Sequence, residues 1–220
     1  MRATRRGLFG FLLGVILGAW IGSPVSAQPI QPGVDYRVLS RTQPVPRGNR
    51  IEVIEFFFYP CPYCNELAPE VERWQKTLPP DVVFRRSPVV RHDSWVPLAI
   101  IYFALETLGE VARLHLAVYQ SFHTDHLQIN REPVVETWAA KNSLDGAKFM
   151  ASYRSAEVQL KVDLARKMTL DYEVQAMPSF VVDGRYITST SMTSNVPQVL
   201  SVVDALIRFA RRNRADIPIR

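Results

Sequence analysis

A strand-length run of β-branched and aromatic residues, Ile51–Phe58 (IEVIEFFF), leads directly into the only two cysteines of the chain, Cys61 and Cys64. Apolar residues fall on both parities of the run. Neither face can be left to water, so the strand is read as buried on both sides, as in an α/β sheet. The next residues carry a helical pattern: Leu67, Val71, Trp74 and Leu78 recur at helical spacing until Pro79-Pro80 stops them. Val82–Val90 (VVFRRSPVV) is the next strand.

The period then changes. From about Ser94 to Asp171 almost everything is helical. Leu98, Ile101 and Leu105 form one apolar stripe, and Val111, Leu114, Val118 and Phe122 form a second. Three further helices are expected: one from Glu132-Pro133, where proline suits the first turn, one over Asp145–Tyr153, and one after Ser155 to about Thr169. Strand character returns at Ser179–Asp183 (SFVVD), with Gly184 as the turn and Arg185–Thr188 as the partner strand. Ser194 or Asn195 then caps an amphipathic helix through about Arg212. Upstream, Gln28–Gly48 is a lead-in rich in proline and glycine, with a short strand near Tyr36–Leu39.

Residues 1–27 read as a signal peptide. Arg2, Arg5 and Arg6 precede the 14-residue apolar stretch Leu8–Ile21, and Val25-Ser26-Ala27 has the small residues of a cleavage site. The stretch is shorter than the ~20 residues a membrane-spanning helix needs. Cleavage after Ala27 is expected, with retention as an anchor the alternative; either way the chain meets an oxidising compartment. Of 26 basic residues three lie in this segment, which holds no acid, so the remainder carries 23 − 21 = +2. That balance does not call for nucleic acid. Arg211–Arg214 (RRNR) is read as a helix C-terminus complementing its dipole.

Two cysteines two residues apart can be a staple, half a metal site or a redox pair. A disulfide closing so short a loop constrains little, about 2 kcal/mol by chain entropy. A zinc site needs two more ligands, and the one histidine pair, His123 and His126, is spaced more tightly than the usual histidine arm. The redox reading explains more of the surroundings. Cys61 falls where a buried strand ends and a helix begins, where unpaired backbone N–H groups and the helix dipole favour a thiolate. Pro62 suits the first helical turn, and Cys64, one turn on, faces back from a more buried position. One accessible thiol that exchanges and one buried thiol that resolves is the asymmetry exchange chemistry needs.

With these residues in view, the sequence resembles the DsbA family of periplasmic thiol:disulfide oxidoreductases over roughly Ile51–Arg212. The resemblance rests on VIEFFFYPCPYC, on VQAMPSFVVDGRYITSTSM, and on the helical block between the two halves of a core. It implies an α/β fold, a thioredoxin-like core with a central mixed sheet flanked by helices, formed by residues 28–92 and 172–220. An inserted helical domain would occupy 93–171. It further implies a redox-active disulfide Cys61–Cys64, with Cys61 the nucleophilic cysteine and Cys64 its buried partner. Pro178 resembles a cis proline packed beside that disulfide, with Met177 presenting backbone to an extended substrate peptide. Glu55, six residues before Cys61, takes the place of a buried acid that moves protons to and from the second cysteine; the alternative is a strand residue facing water. The implied partners are exported proteins with free thiols and a quinone-linked membrane reoxidant of the DsbB type. A monomer with no metal, cofactor or nucleic acid is expected.

The sequence also departs from that pattern. Pro62-Tyr63 stands between the cysteines where the commonest oxidase pair is Pro-His, and tyrosine cannot stabilise a thiolate by charge. Pro60 removes a backbone donor near the sulfur. A weaker oxidant than the strongest members of the family is therefore expected, nearer the glutaredoxin range of about −200 mV than the extreme of about −120 mV. A reductase or isomerase with the pair kept reduced is the nearer rival, and a non-enzymatic binding module the more distant one.

Overall fold

The computed structural model describes residues 30–45 and 50–215, and the leader expected at 1–27 lies outside them. Strand β2 (Ile51–Phe57) is buried along its whole length, as its two-sided apolar pattern requires. It pairs in parallel with β3 (Val82–Pro88), from Ile51↔Val82 to Phe57↔Pro88. On its other side it pairs antiparallel with β4 (Ser179–Val182). Strand β5 (Tyr186–Ser189) pairs with β4, and the two-residue β1 (Arg37–Val38) lines its outer edge, giving the order β1-β5-β4-β2-β3.

Helix α1 (Pro62–Trp74) follows β2. Between β3 and β4 lie α2 (Val96–Thr107), α3 (Val111–His123), α4 (Glu132–Lys141), α5 (Gly146–Tyr153) and α6 (Ala156–Asp171), the five helices expected from the periodicity. Helix α7 (Gln198–Ala215) ends the described chain. The side chains of Asp145 and Ser155 cap α5 and α6 by accepting the Lys148 and Val158 N–H groups. Asn195 Oδ1 accepts the Gln198 N–H, so of the two capping candidates before α7 it is the asparagine that meets the first turn.

Several boundaries differ from the expectation, each for a local reason. The first helix stops at Trp74 and tightens into a 3₁₀ turn over Gln75–Thr77. Leu78 is extended because a residue before proline is pushed out of the α region. Pro69 sits inside α1 without ending it. Residues Asp183 and Gly184 both take positive φ, three residues (Asp183, Gly184 and Arg185) join the paired Val182 and Tyr186, and β5 therefore starts at Tyr186 rather than Arg185. A side chain at Gly184 would also collide with the Gln43 carbonyl. Helix α2 is buried nearly all round, with Ala99, Tyr102, Phe103 and Ala104 inside as well as the expected stripe. The last helix runs past Arg212, and its basic run pairs with acids: Arg211 grips Asp81 at 2.8 and 3.0 Å, and Arg214 meets Asp183.

The buried stripe of α1 organises the core, meeting a different cluster on each flank. Leu67 and Val71 pack on the sheet with Ile51, Val53, Phe180 and residues of α7. Cys64 and Ala68, on the adjoining flank of the same buried stripe, belong to the cluster that Phe57 and Tyr59 share with α2–α6. The other face of the sheet, through Ile54, Phe56, Val181 and Ile187, is covered by Met168 and Tyr172 at the end of α6. Each large side chain so covered contributes about 1.5–3 kcal/mol. Helix α1 is thus clamped between sheet and helical block, and its first turn is held from both sides.

Candidate active site

Cys61 is the N-cap of α1 in extended conformation, and Pro62 occupies the first helical position. The turn from β2 is closed by the Cys61 N–H donating to the Phe58 carbonyl at 3.0 Å. Phe58 itself stacks on Trp95, ring centres 3.9 Å apart. Cys61 is half-buried and Cys64 fully buried, both as free thiols.

Their environments push the two thiols in opposite directions. Cys61 is lowered to about 6, mainly because the Cys64 thiol hydrogen-bonds to it; burial opposes this, and the backbone N–H groups of Cys64 and Tyr63 add to the lowering. Cys64 is raised well above its ordinary value by burial first, then by the hydrogen bond it gives Cys61 and by the charges of Cys61 and Glu55. The helix N-terminus acts here through two specific N–H groups aimed at the sulfur.

The Met177-Pro178 peptide is cis. It brings the Met177 carbonyl to 3.4 Å from Cys61 Sγ, which donates to it. Beside this contact runs an open groove lined by Tyr63, Met177, Thr190, Thr193 and Val196. Tyr63 is 56% exposed on its rim. The residues singled out around the pair (Cys61, Pro62, Tyr63, Cys64, Met177 and Pro178) therefore come together at one end of α1.

Glu55 is set apart from them, and the water-facing alternative for it is wrong: it is 1% exposed. The β2–β3 register places it opposite Arg86, whose Nε donates to Glu55 Oε2 at 2.8 Å. Arg86 Nη2 lies 2.9 Å from Glu72 Oε1 on α1, close enough to attract but without hydrogen-bond alignment. Burial raises the Glu55 carboxyl, Arg86 opposes the rise, and Glu72 adds to it. Burial alone would lower Arg86, and the two carboxylates more than offset that. The guanidinium also lies over the Phe84 ring at 4.9 Å.

Sequence reasoning missed three contributors. Arg86 and Glu72 complete the buried charge cluster, and the available signal was a charged pair, Arg85-Arg86, inside an otherwise apolar strand. The third is an aromatic and imidazole group behind the turn. Tyr59 is buried, with its hydroxyl 3.0 Å from Nδ1 of buried His115 on α3. His123, weighed in the sequence as a metal ligand, has Nε2 2.7 Å from the Tyr59 carbonyl. Among the described residues no three His, Cys, Asp or Glu side chains gather as a metal-ligand set.

A buried strand delivering a C-x-x-C pair to the head of a helix, with a cis proline beside the first sulfur, defines a thiol:disulfide oxidoreductase of the thioredoxin class. No protein-family model matches the chain. It is 32% identical over 199 residues to the thiol:disulfide interchange protein DsbA of Burkholderia cepacia, covering 90% of this chain and 93% of that one. To the protein of the same name from Bordetella parapertussis it is 34% identical over 187 residues, 84% of this chain and 89% of the relative. The crystal structure of Pseudomonas aeruginosa DsbA superposes with a TM-score of 0.80 at 29% identity, covering 84% of this chain and 96% of that one. The chain belongs to the DsbA family of thiol:disulfide interchange proteins.

Proposed function

We propose that the protein works in the periplasm as a disulfide donor to exported proteins, with Cys61 and Cys64 as its redox pair. The observation that carries this reading is the opposition between the two thiols: an accessible Cys61 lowered to about 6 beside a buried Cys64 that holds its proton. The reduced form is then a thiolate–thiol pair, stabilised relative to the disulfide. Stabilising the reduced form is what makes such a protein an oxidant.

In the forward reaction a substrate thiolate attacks Sγ of Cys61 in the disulfide. The new sulfur–sulfur bond forms as the Cys61–Cys64 bond breaks, and Cys64 leaves as a thiolate that takes up a proton. The substrate's second thiolate then attacks its own bridged sulfur and expels Cys61 as a stable thiolate. Two electrons pass from substrate to enzyme, and the substrate leaves oxidised. The low pKa of Cys61 makes it the better leaving group in this second step. Met177 and Pro178 would present backbone to the substrate along the groove beside Tyr63. Glu55, whose pKa burial raises, would serve proton exchange at Cys64. A quinone-linked membrane partner of the DsbB type would reoxidise the pair, and the leader at 1–27 would direct export.

The test is the equilibrium redox potential against glutathione, read by trapping free thiols at each poise. A thiol at about 6 lies between thioredoxin at about 7 and the about 3.5 known for DsbA itself. The expected potential is accordingly near −200 mV, well above the about −270 mV of thioredoxin. A value at the thioredoxin level would overturn the donor direction and leave a reductase built on the same two cysteines.

A further inference from the structure

We infer that His123, on the helical block, is a positioning residue for Cys61 and acts through the Tyr59 carbonyl. The Tyr59-Pro60-Cys61 segment lies after β2 has ended and before α1 has begun, so neither ladder nor helix supplies the Tyr59 carbonyl with a partner. Pro60 has no N–H to lend to the turn. The bond at 2.7 Å from His123 fills that place. A carbonyl only accepts, so Nε2 of His123 carries the proton and donates it.

Tyr59 is fixed a second time at its other end. Its hydroxyl is 3.0 Å from His115 Nδ1, and its ring sits edge-on to Phe57 and Tyr119. Tyr119 in turn lies alongside His123, ring centres 6.3 Å apart at 29°. Two histidines of α3, two helical turns apart, thus hold one residue of the β2–α1 turn by its side chain and its backbone. Among the described residues no other hydrogen bond from the helical block reaches the backbone of the segment leading into Cys61. The dipeptide Pro62-Tyr63 has no charge to give the thiolate, so the sulfur depends on backbone N–H groups, and these help only while the turn holds its shape. Loss of the His123 donation leaves a carbonyl dipole unpaired two residues from the sulfur and frees the turn. Both changes disfavour the thiolate.

This rests on Cys61 being the exchanging thiol, and the experiment separates the two ideas. Thiolate absorbance is followed against pH in the purified reduced protein, with the redox potential measured alongside, for wild type, His123→Leu and His123→Gln. Glutamine keeps an N–H donor at similar reach; leucine does not. The expected result is a Cys61 midpoint raised in His123→Leu by about half a pH unit or more, about a threefold change in the thiolate equilibrium. The potential becomes more reducing, and His123→Gln restores both. Should the leucine variant not fold, His123→Asn, whose amide falls short, supplies the same contrast with glutamine. Equal midpoints in all variants, or a glutamine variant shifted as far as leucine, overturn the inference whatever happens to melting temperature. A wild-type protein with no thiolate titration below pH 8 would instead break the reading of Cys61 itself.

Discussion

Cys61 and Cys64 sit one turn apart on the same helix and differ in almost nothing but surroundings. Cys61 faces the open groove, with a carbonyl of the cis-proline loop on one side and backbone N–H groups on the other. Cys64 faces inward, among Phe57, Tyr59 and Ala68 in the cluster shared with the helical block. Water reaches the first sulfur and not the second. Burial is therefore only the second influence on Cys61, where hydrogen bonding prevails, and the first on Cys64. The helix dipole is common to both and cannot explain the difference. What sets the two sulfurs apart here is depth: Cys61 stands at the open head of α1, and Cys64, one turn further along the same side, is covered by the core.

The sharpest way to break that comparison is to remove each sulfur in turn. Cys61→Ser should reduce thiol–disulfide exchange to the uncatalysed background. Cys64→Ser has no disulfide to donate, but its Cys61 thiolate should still attack a disulfide-bonded substrate, expel one substrate thiolate and, with no Cys64 to resolve the bond, accumulate mixed disulfides, visible as adducts on non-reducing gels. Substantial exchange without Cys61, or no adducts without Cys64, would mean that the two roles are not divided as their burial says. Next in size comes the charge cluster beneath Cys64. Arg86→Met removes the partner of a carboxylate that is 1% exposed. Removing one member of a buried ion pair costs about 3–5 kcal/mol, read here as a drop in denaturant midpoint. Glu55 has its pKa raised in the folded protein, so its unpaired form accepts a proton as pH falls, and the loss should shrink below neutral pH. A cost independent of pH would place the damage in packing instead.

How much of this was legible beforehand follows the range of the interactions. The strand, the C-x-x-C pair, Pro62 at the first helical turn and the five helices of the block are set by neighbours within a few residues, and their patterns sit openly in the sequence. Caps at Asp145 and Ser155 belong to the same class. For Glu55 the resemblance implied a buried acid while the residues alone left a water-facing position open, because its burial depends on Arg86 from β3 and Glu72 from α1, 31 and 17 positions away and out of reach of local pattern. His123 was weighed with its neighbour His126 for the same reason: spacing along a helix invites a ligand pair, whereas its actual partner is the carbonyl of Tyr59, 64 residues earlier. Local chemistry was readable; the second layer behind it needed the fold.

The smallest expected effect concerns the dipeptide. In the folded, reduced protein Cys61 is lowered from its ordinary value of 9.0 to about 6. Its contribution to the stability of the reduced form is therefore complete above pH 9 and is lost as pH falls through 6. The redox potential should show the same window, falling by about 59 mV per pH unit below the Cys61 pKa, where two protons accompany two electrons, and by about 30 mV above it, where one does. Tyr63→His would place a cation beside this sulfur while the ring is protonated. The site is more than half exposed, so solvent screens much of that charge. The expected gain is about one pKa unit, equivalent to about 30 mV toward a stronger oxidant. The break in slope should move to lower pH by the same unit, while Cys64, facing away from position 63, keeps its proton as before. If the potential rises without the break moving, the histidine acts on the disulfide form and not on the thiolate. If neither moves, the thiolate rests on the Cys64 thiol and the backbone N–H groups alone, and the depth of each sulfur along α1 decides the chemistry whatever residue stands between the cysteines.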